Sequence, residues 1–406
     1  MYVSAWQGLT FQTLRTSPHQ GPLPFPFDAP HKTCFHTARS AIYQLFAHLV
    51  RGGRKRVLAP DYHMGNELRA IRAAGADVSL YPVGSDMQPD LDAMRRLSRQ
   101  GADVLFTIHY AGWPQPLHEL RTLSDEHGMV LVEDCALALL SEGGGRPVGS
   151  VGDYAIFCLY KTLPVPDGGM LVQNRNVFHE LDAWPLEPIG TVFEAGRLAE
   201  LWIDGFRTRY SKTGAAVASC KRAVGALLNT LHVTRVPVGD IGFDVAQSSL
   251  AMSRWSERII PRLNLFKIRS RRRDNYQLVS DLFHDAGHPV FRGLEAGVCP
   301  LFFPLLVRDK HAAARALWSR GIMATELWNE GDPAFAHSEG AGTQFLRRHV
   351  LELPIHQDIT ESKIRYMVQQ VLHLKISLDP AMQSIVRAPP ATPCGEAVSG
   401  TCVGSA

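Results

Sequence analysis

Lys161 is the only lysine between Lys55 and Lys212, and it follows the apolar run "DYAIFCLY". An amine desolvated by apolar neighbours is pushed toward its neutral form. It is then a nucleophile able to form a Schiff base with an aldehyde. Most lysines instead lay their stems on the surface and keep the charge in water, so the reading depends on what else stands near. Asp134 ends the apolar run "VLVED", at the strand rim where α/β proteins bind ligands. A carboxylate there can keep a pyridinium nitrogen protonated, although an ordinary turn aspartate fits the same place. "HTARSAI", from His36, opens a helix whose unpaired N–H groups and dipole suit a phosphate. A glycine turn, "GRPVGSVGD", leads into the strand that carries Lys161. An amine, a rim carboxylate and a phosphate-type helix start are what a pyridoxal phosphate (PLP) site requires, in that cofactor's own terms of aldehyde, ring nitrogen and phosphate.

These groups need elements to hold them. "HTARSAIYQLFAHLVRGG" has helical apolar spacing, with Thr37 as N-cap and Gly52 as stop. From there "RVLAP", "DVSLYPV", "DVLFTIHY" and "MVLVEDC" read as strands, and "GNELRAIRAAGA", "DLDAMRRLSRQG" and "LHELRTLSDEHG" as helices between them. Apolar strands alternating with amphipathic helices predict a mostly parallel sheet covered on both faces. "DYAIFCLY" and "GGMLVQN" add two strands with no long helix between them, so one of them is expected to run antiparallel. Beyond a mainly helical stretch over residues 178–250 the pattern turns α+β. "NLFKIRSRRRDNYQLVSDLFHDAG" reads as a long helix, "GVCPLFFPLLVRD" and "HVLELPI" as strands, "KHAAARALWSRG" as a helix, and "TESKIRYMVQQVLHLKI" as a closing helix capped by Thr360. The basic run Arg269 to Asn275 reads as a solvated helix face, and Lys221–Arg222 is a second basic cluster. The expected division is an N-terminal arm over 1–30, a large α/β domain over 31–245, a small α+β domain over 246–380 and a disordered tail over 381–406.

The 406 residues are 45% apolar and 20% charged, with a formal net charge of +3. That balance gives no reason to expect a nucleic-acid partner. Seven scattered cysteines with no CxxC pair point to free thiols in a reducing compartment. No apolar run is long enough for a membrane span, and "MYVSAWQGLTFQTLR" does not read as a signal peptide, so the cytoplasm is expected. No histidine pattern of a metal site and no GxGxxG after a strand is present. Neither a metal nor a dinucleotide is therefore expected.

The order of the motifs resembles the DegT/DnrJ/EryC1/StrS aminotransferases, PLP enzymes of fold type I. The resemblance covers residues 30–175 well and 250–372 more weakly. "VEDCALA" looks like the family's E-D-x-A-x-A, "GSVGDYAIFCLYK" like its segment ending in the Schiff-base lysine, and "DGGMLV" like its E-G-G-M. "IHYAG" looks like its V-H-x-x-G, and "LELPIHQDITESKI" like its closing L-P motif. The resemblance implies that Lys161 bonds the cofactor aldehyde and is the catalytic residue, that Asp134 pairs with the ring nitrogen, and that Ala136 lies against the ring. It places His109 near the cofactor and the phosphate on Ala38, Arg39 and Ser40. Departures are expected to matter. Arg39 stands where the family has the phosphate-binding threonine, Cys158 where it has serine, and Leu137 where it has glutamine. The ring-stacking aromatic falls near Met64, and His63 is the better candidate because an imidazole has a π-face.

The implied protein is a homodimeric fold type I PLP-dependent transferase. It would move an amino group, by family analogy from glutamate, to a keto substrate such as a nucleotide-linked keto sugar. Alternatives are a PLP enzyme acting on a non-sugar substrate, or a non-catalytic relative that binds PLP or a sugar nucleotide.

Overall fold

In the computed structural model, residues 1–18, 21–210 and 242–378 are described. The strands of the N-terminal half are short and apolar. Lys32–Phe35 (β1), Arg56–Pro60 (β2), Asp77–Tyr81 (β3), Val104–Ile108 (β4) and Val130–Asp134 (β5) come first. After a small hairpin of Glu142–Gly143 (β6) and Arg146–Pro147 (β7) come Tyr154–Cys158 (β8) and Gly169–Gln173 (β9). β4, β8 and β9 are buried at every position. Such strands must be covered on both faces, which is the environment of a sheet flanked by helices. They form a seven-stranded sheet in the order β1-β9-β8-β5-β4-β2-β3. The β3–β2–β4–β5–β8 pairs are parallel, and β9 is antiparallel to both β8 and β1. The expected mostly parallel sheet with one reversed strand is therefore present, and β9 is the reversed one.

Past the long helix Leu265–Asp285 a second sheet forms. Phe303–Leu306 (β10), Thr325–Glu326 (β11) and Val350–Leu353 (β12) pair antiparallel in the order β10-β12-β11. The closing helix Glu361–Leu374 packs its buried Ile364, Met367, Val368 and Val371 inward. Among the described residues one apolar cluster runs through both sheets, and a second gathers the alternate residues of β8 and β9.

Several expectations are corrected. β1 was not anticipated, because its four residues carry too little pattern of their own; pairing with β9 makes it a strand. Thr360 occupies the N-cap position, but its hydroxyl bonds Ser362 Oγ and not a backbone N–H. The first residues of the N-terminal arm pack on the rest of the chain. Val3 bridges Ile322, and Gln7 is buried. Arg272, within the basic run expected to face solvent, is 1% exposed. Lys221–Arg222 and the tail over 381–406 lie outside the described residues. Among the described residues Cys34, Cys135, Cys158 and Cys299 are free thiols, and no helix is long and apolar enough to cross a membrane.

Candidate active site

The ends of β5 and β8 and the start of the helix Ala38–Arg51 converge on one cleft. Register puts Asp134 at the end of β5 beside Ile108 of β4 and Ile156 of β8. β8 then runs into the 3-10 turn Leu159–Lys161. The helix Ala38–Arg51 starts against β9, and this approach depends on glycine. A Cβ on Gly169 would sit 2.1 Å from the Thr37 carbonyl carbon. Gly168 beside it has φ +133°, a conformation side chains avoid. At the helix start Thr37 Oγ1 accepts from Ser40 N–H at 3.2 Å, leaving the N–H groups of the first turn directed out of the helix end.

The turn carrying Lys161 is held by a buried polar network. Gln7 Nε2 donates to the carbonyls of Tyr160 (2.9 Å) and Leu163 (3.0 Å). Arg272 donates to Gln7 Oε1 (3.2 Å), Thr162 O (3.3 Å), Leu301 O (2.8 Å) and Gln357 Oε1 (3.1 Å). Burial pushes the Arg272 guanidinium below its ordinary range, and these acceptors offset that cost. Arg272→Met removes a donor from several buried oxygens at once, although Thr162 O keeps that of Gln357 Nε2. We predict a loss of about 2–4 kcal/mol in urea unfolding, with cofactor retention weakened further than stability alone accounts for. An unchanged midpoint would contradict this.

Ala38, Arg39, Asp134, Ala136, Cys158 and Lys161 line one cleft, with Met64, Glu67, Leu137, Tyr160 and Trp328. The cleft holds about 570 Å³ of space between protein atoms, part of it open to solvent. Asp134 is buried and accepts from Ala136 N–H at 2.9 Å. Burial first, then the Glu67 charge, lifts its carboxyl to about 7, against the opposing pull of Ala136 N–H and Lys161. Burial also pushes the Cys158 thiol up, so it enters as a small apolar wall. An Arg39 guanidinium N–H donates to Gly242 O.

Three expected site residues stand outside this lining. Ser40 is buried one step behind it, bonded to Thr37 Oγ1 at 2.9 Å. His109 is fully buried, with Nε2 3.0 Å from Glu133 Oε2 and Nδ1 accepting from Gln115 N–H. Glu133 in turn receives the N–H groups of Gly149 and Val151, so the His109–Glu133 pair braces the glycine turn beneath the site. His63 is corrected as the stacking candidate. Adjacent residues of an extended segment point to opposite sides, and here Met64 enters the cleft while His63 meets Phe335 edge-on. Burial, then Arg347, lowers the His63 imidazole to about 3, which keeps it uncharged.

Sequence reasoning missed Glu67, Tyr160 and Trp328. Glu67 stands in the first turn of the helix Asn66–Ala73, where an acidic residue reads as a solvated helix start. Trp328 lies in a loop of the second sheet with φ +39°. Arg347 donates to its carbonyl, and its ring packs on Tyr62 at 5.1 Å. No pattern in the chain announces that contact.

Lys161, Met64, Leu137, Tyr160 and Trp328 also line a second, larger cleft of about 1090 Å³, again partly open. Its far wall includes Trp6, Arg197, Glu200, Asp204, Glu326 and Glu352. Glu326 is shared with an open groove that carries Arg308, Lys310, Arg347 and Arg348.

Residues 36–221 match the model of the DegT/DnrJ/EryC1/StrS aminotransferase family. GDP-perosamine synthase of Vibrio cholerae is 32% identical over 124 residues, which are 30% of this chain and 34% of that protein. The chain thus matches about a third of the length of that relative. Among solved structures, PseC of Helicobacter pylori, an aminotransferase of pseudoaminic acid biosynthesis, aligns with a TM-score of 0.61 at 15% identity over 92% of this chain and 99% of that one. Spr1654 of Streptococcus pneumoniae in its PMP form aligns with a TM-score of 0.62 at 14% identity over 92% and 100%. At such identities the likeness is one of fold, and the fold is the α/β class expected from the strand and helix pattern. Over residues 36–221 the chain is similar to the DegT/DnrJ/EryC1/StrS aminotransferase family.

Proposed function

We propose that this protein is a PLP-dependent aminotransferase that takes an amino group from glutamate and gives it to a nucleotide-linked keto sugar. The observation that carries the reading is the meeting of Lys161, Asp134 and the start of the helix Ala38–Arg51 in one cleft. The residues present fit the cofactor. A carboxylate with so costly a charge at this site is matched by a cationic ring nitrogen, a helix start by a phosphate, and a lysine at a strand end by an aldehyde. Bound there, PLP supplies an aldehyde that captures amines and a ring that takes up the electrons released at Cα.

The rest is done by the chain. The N–H groups at Ala38 and Arg39 bind the phosphate, and the Arg39 guanidinium adds charge. Asp134 keeps the ring nitrogen protonated. Met64, Ala136 and Cys158 line the cleft that would hold the ring. Lys161 Nζ takes the proton from the substrate Cα and hands it on, as a general base must. Ser40 and His109 act from behind, through Thr37 and Glu133. The second cleft receives the sugar, whose hydroxyls suit its carboxylates, and the cationic groove beyond Glu326 receives the diphosphate. Arg348→Glu is then predicted to raise KM for the nucleotide-linked substrate by roughly three- to tenfold, less at high salt, with the glutamate half-reaction unchanged. A KM unmoved at low salt would remove the groove from the substrate site.

The same reading takes residues 31–245 and 246–380 as two domains, the chain as a cytoplasmic homodimer with its active sites at the subunit interface, and small molecules as its partners. The test is a pair of single turnovers. Glutamate alone, added to the PLP-loaded protein, releases 2-oxoglutarate; a keto sugar nucleotide added next becomes an amino sugar. If no amino acid reacts, the enzyme reading fails. If glutamate reacts and no keto sugar nucleotide is aminated, the sugar is wrong and the aminotransferase stands.

A further inference from the structure

Glu67 opens the helix Asn66–Ala73 and is 7% exposed. A first-turn glutamate gains from the helix dipole while staying in water. This one points inward. Its Oε1 accepts from Met64 N–H at 2.7 Å, and the side chain lines the cleft with Asp134 and Lys161. The charges that bear on it are those of Lys161 and Arg347, while its own charge bears on Asp134 and Tyr110. From the facing helix start Arg39 lines the same cleft, as does Cys158 at the end of β8. Two buried carboxylates thus share one cleft with one amine.

Two desolvated carboxylates facing one space do not both ionise cheaply, and one of them holds a proton far above its ordinary range. Burial lifts both groups here, and Glu67 adds to the lift on Asp134. We infer that Glu67 and Asp134 form a dyad that holds one proton between them, so that Glu67 carries the proton whenever Asp134 is ionised opposite a cationic ring.

This rests on the PLP reading and deepens it. Without cofactor the dyad proton sits on Asp134, with the Glu67 carboxylate set against Lys161. When a protonated ring nitrogen arrives, its proton drawn from solvent, Asp134 ionises and the dyad proton passes to Glu67. No charge is added to the buried carboxylates. A protonated Glu67 is also an O–H donor in a cleft where Leu137 offers none. Glu67 is a proton-holding and positioning residue in this scheme, and Lys161 remains the catalytic base.

The test is infrared spectroscopy of the full-length protein carrying ¹³C-labelled glutamate. In the PLP-loaded protein at neutral pH, a labelled protonated-carboxyl band is expected. It should vanish in Glu67→Gln and also in Glu67→Asp, where labelled aspartate should show it instead. On removal of PLP the band should pass to labelled aspartate and be lost in Asp134→Asn. A loaded wild type with no protonated glutamate, or a band that survives in the Glu67 variants, overturns the dyad. Should Glu67→Gln fail to fold, Glu67→Asp decides on the same criterion. Failure of the wild type to bind PLP, read by its visible absorption, defeats the cofactor reading separately. The bands of the cofactor-free protein then decide whether Asp134 and Glu67 share a proton.

Discussion

Lys161→Ala will lose transamination by about 10⁴-fold or more while leaving the fold intact. The substitution removes both the amine that bonds the cofactor and the base that moves the Cα proton, and general base catalysis alone accounts for about 10²–10⁴. The turn itself should survive. Gln7 and Arg272 hold the carbonyls of Tyr160, Thr162 and Leu163, and they remain in the variant. The variant should therefore match the wild type in circular dichroism and urea midpoint, and retain at most weakly held PLP. Added methylamine should restore part of the proton transfer, because a free amine can enter the clefts that meet at Lys161. Turnover within about tenfold of wild type would show that another group carries the proton.

Asp134→Asn has two effects of opposite sign. With PLP bound, the ring nitrogen loses its counter-charge, and the Cα proton step should slow by about 10²–10³-fold, the scale of losing one preorganised electrostatic partner. Without PLP the variant should be more stable than the wild type near neutral pH. The Asp134 carboxyl is lifted to about 7 in the folded chain, from an ordinary value of 3.8. A group whose folded value is raised holds its proton more tightly folded than unfolded. It leaves stability untouched below the unfolded value and costs stability as pH climbs from there to the folded value. The full cost is at most about 4 kcal/mol, reached above pH ~7. Thermal melts of the cofactor-free proteins should thus agree at acid pH and diverge in favour of Asp134→Asn as pH rises. Parallel curves at all pH values would mean that Asp134 is not desolvated.

The parts of the site that read well from the chain are those tied to strong local pattern. Asp134 and Lys161 end runs of continuous apolar residues, and such runs become central strands whose ends are fixed by register. Thr37 and Gly52 bound their helix as read, because capping chemistry is local. Gly168 and Gly169 are legible as glycines but not as the reason the phosphate-type helix start can reach the sheet; that needs the contact with Thr37. What could not be read depends on tertiary packing. His63 and Met64 are neighbours, and only the path of the chain through Gly65, at φ +108°, decides which of them enters the cleft. Glu67 looks solvated in the chain and is buried in the fold. Trp6, Gln7 and Trp328 reach Lys161 from the N-terminus and from the second sheet, across more than a hundred residues of sequence. β1 has no pattern until β9 pairs with it.

The most direct test of the central claim is to reduce the PLP-loaded protein with borohydride, digest it and map the fixed cofactor by mass spectrometry. The adduct should lie on Lys161 and be absent from Lys161→Ala. An adduct on a different lysine, or a protein that retains no cofactor after reduction, would contradict it.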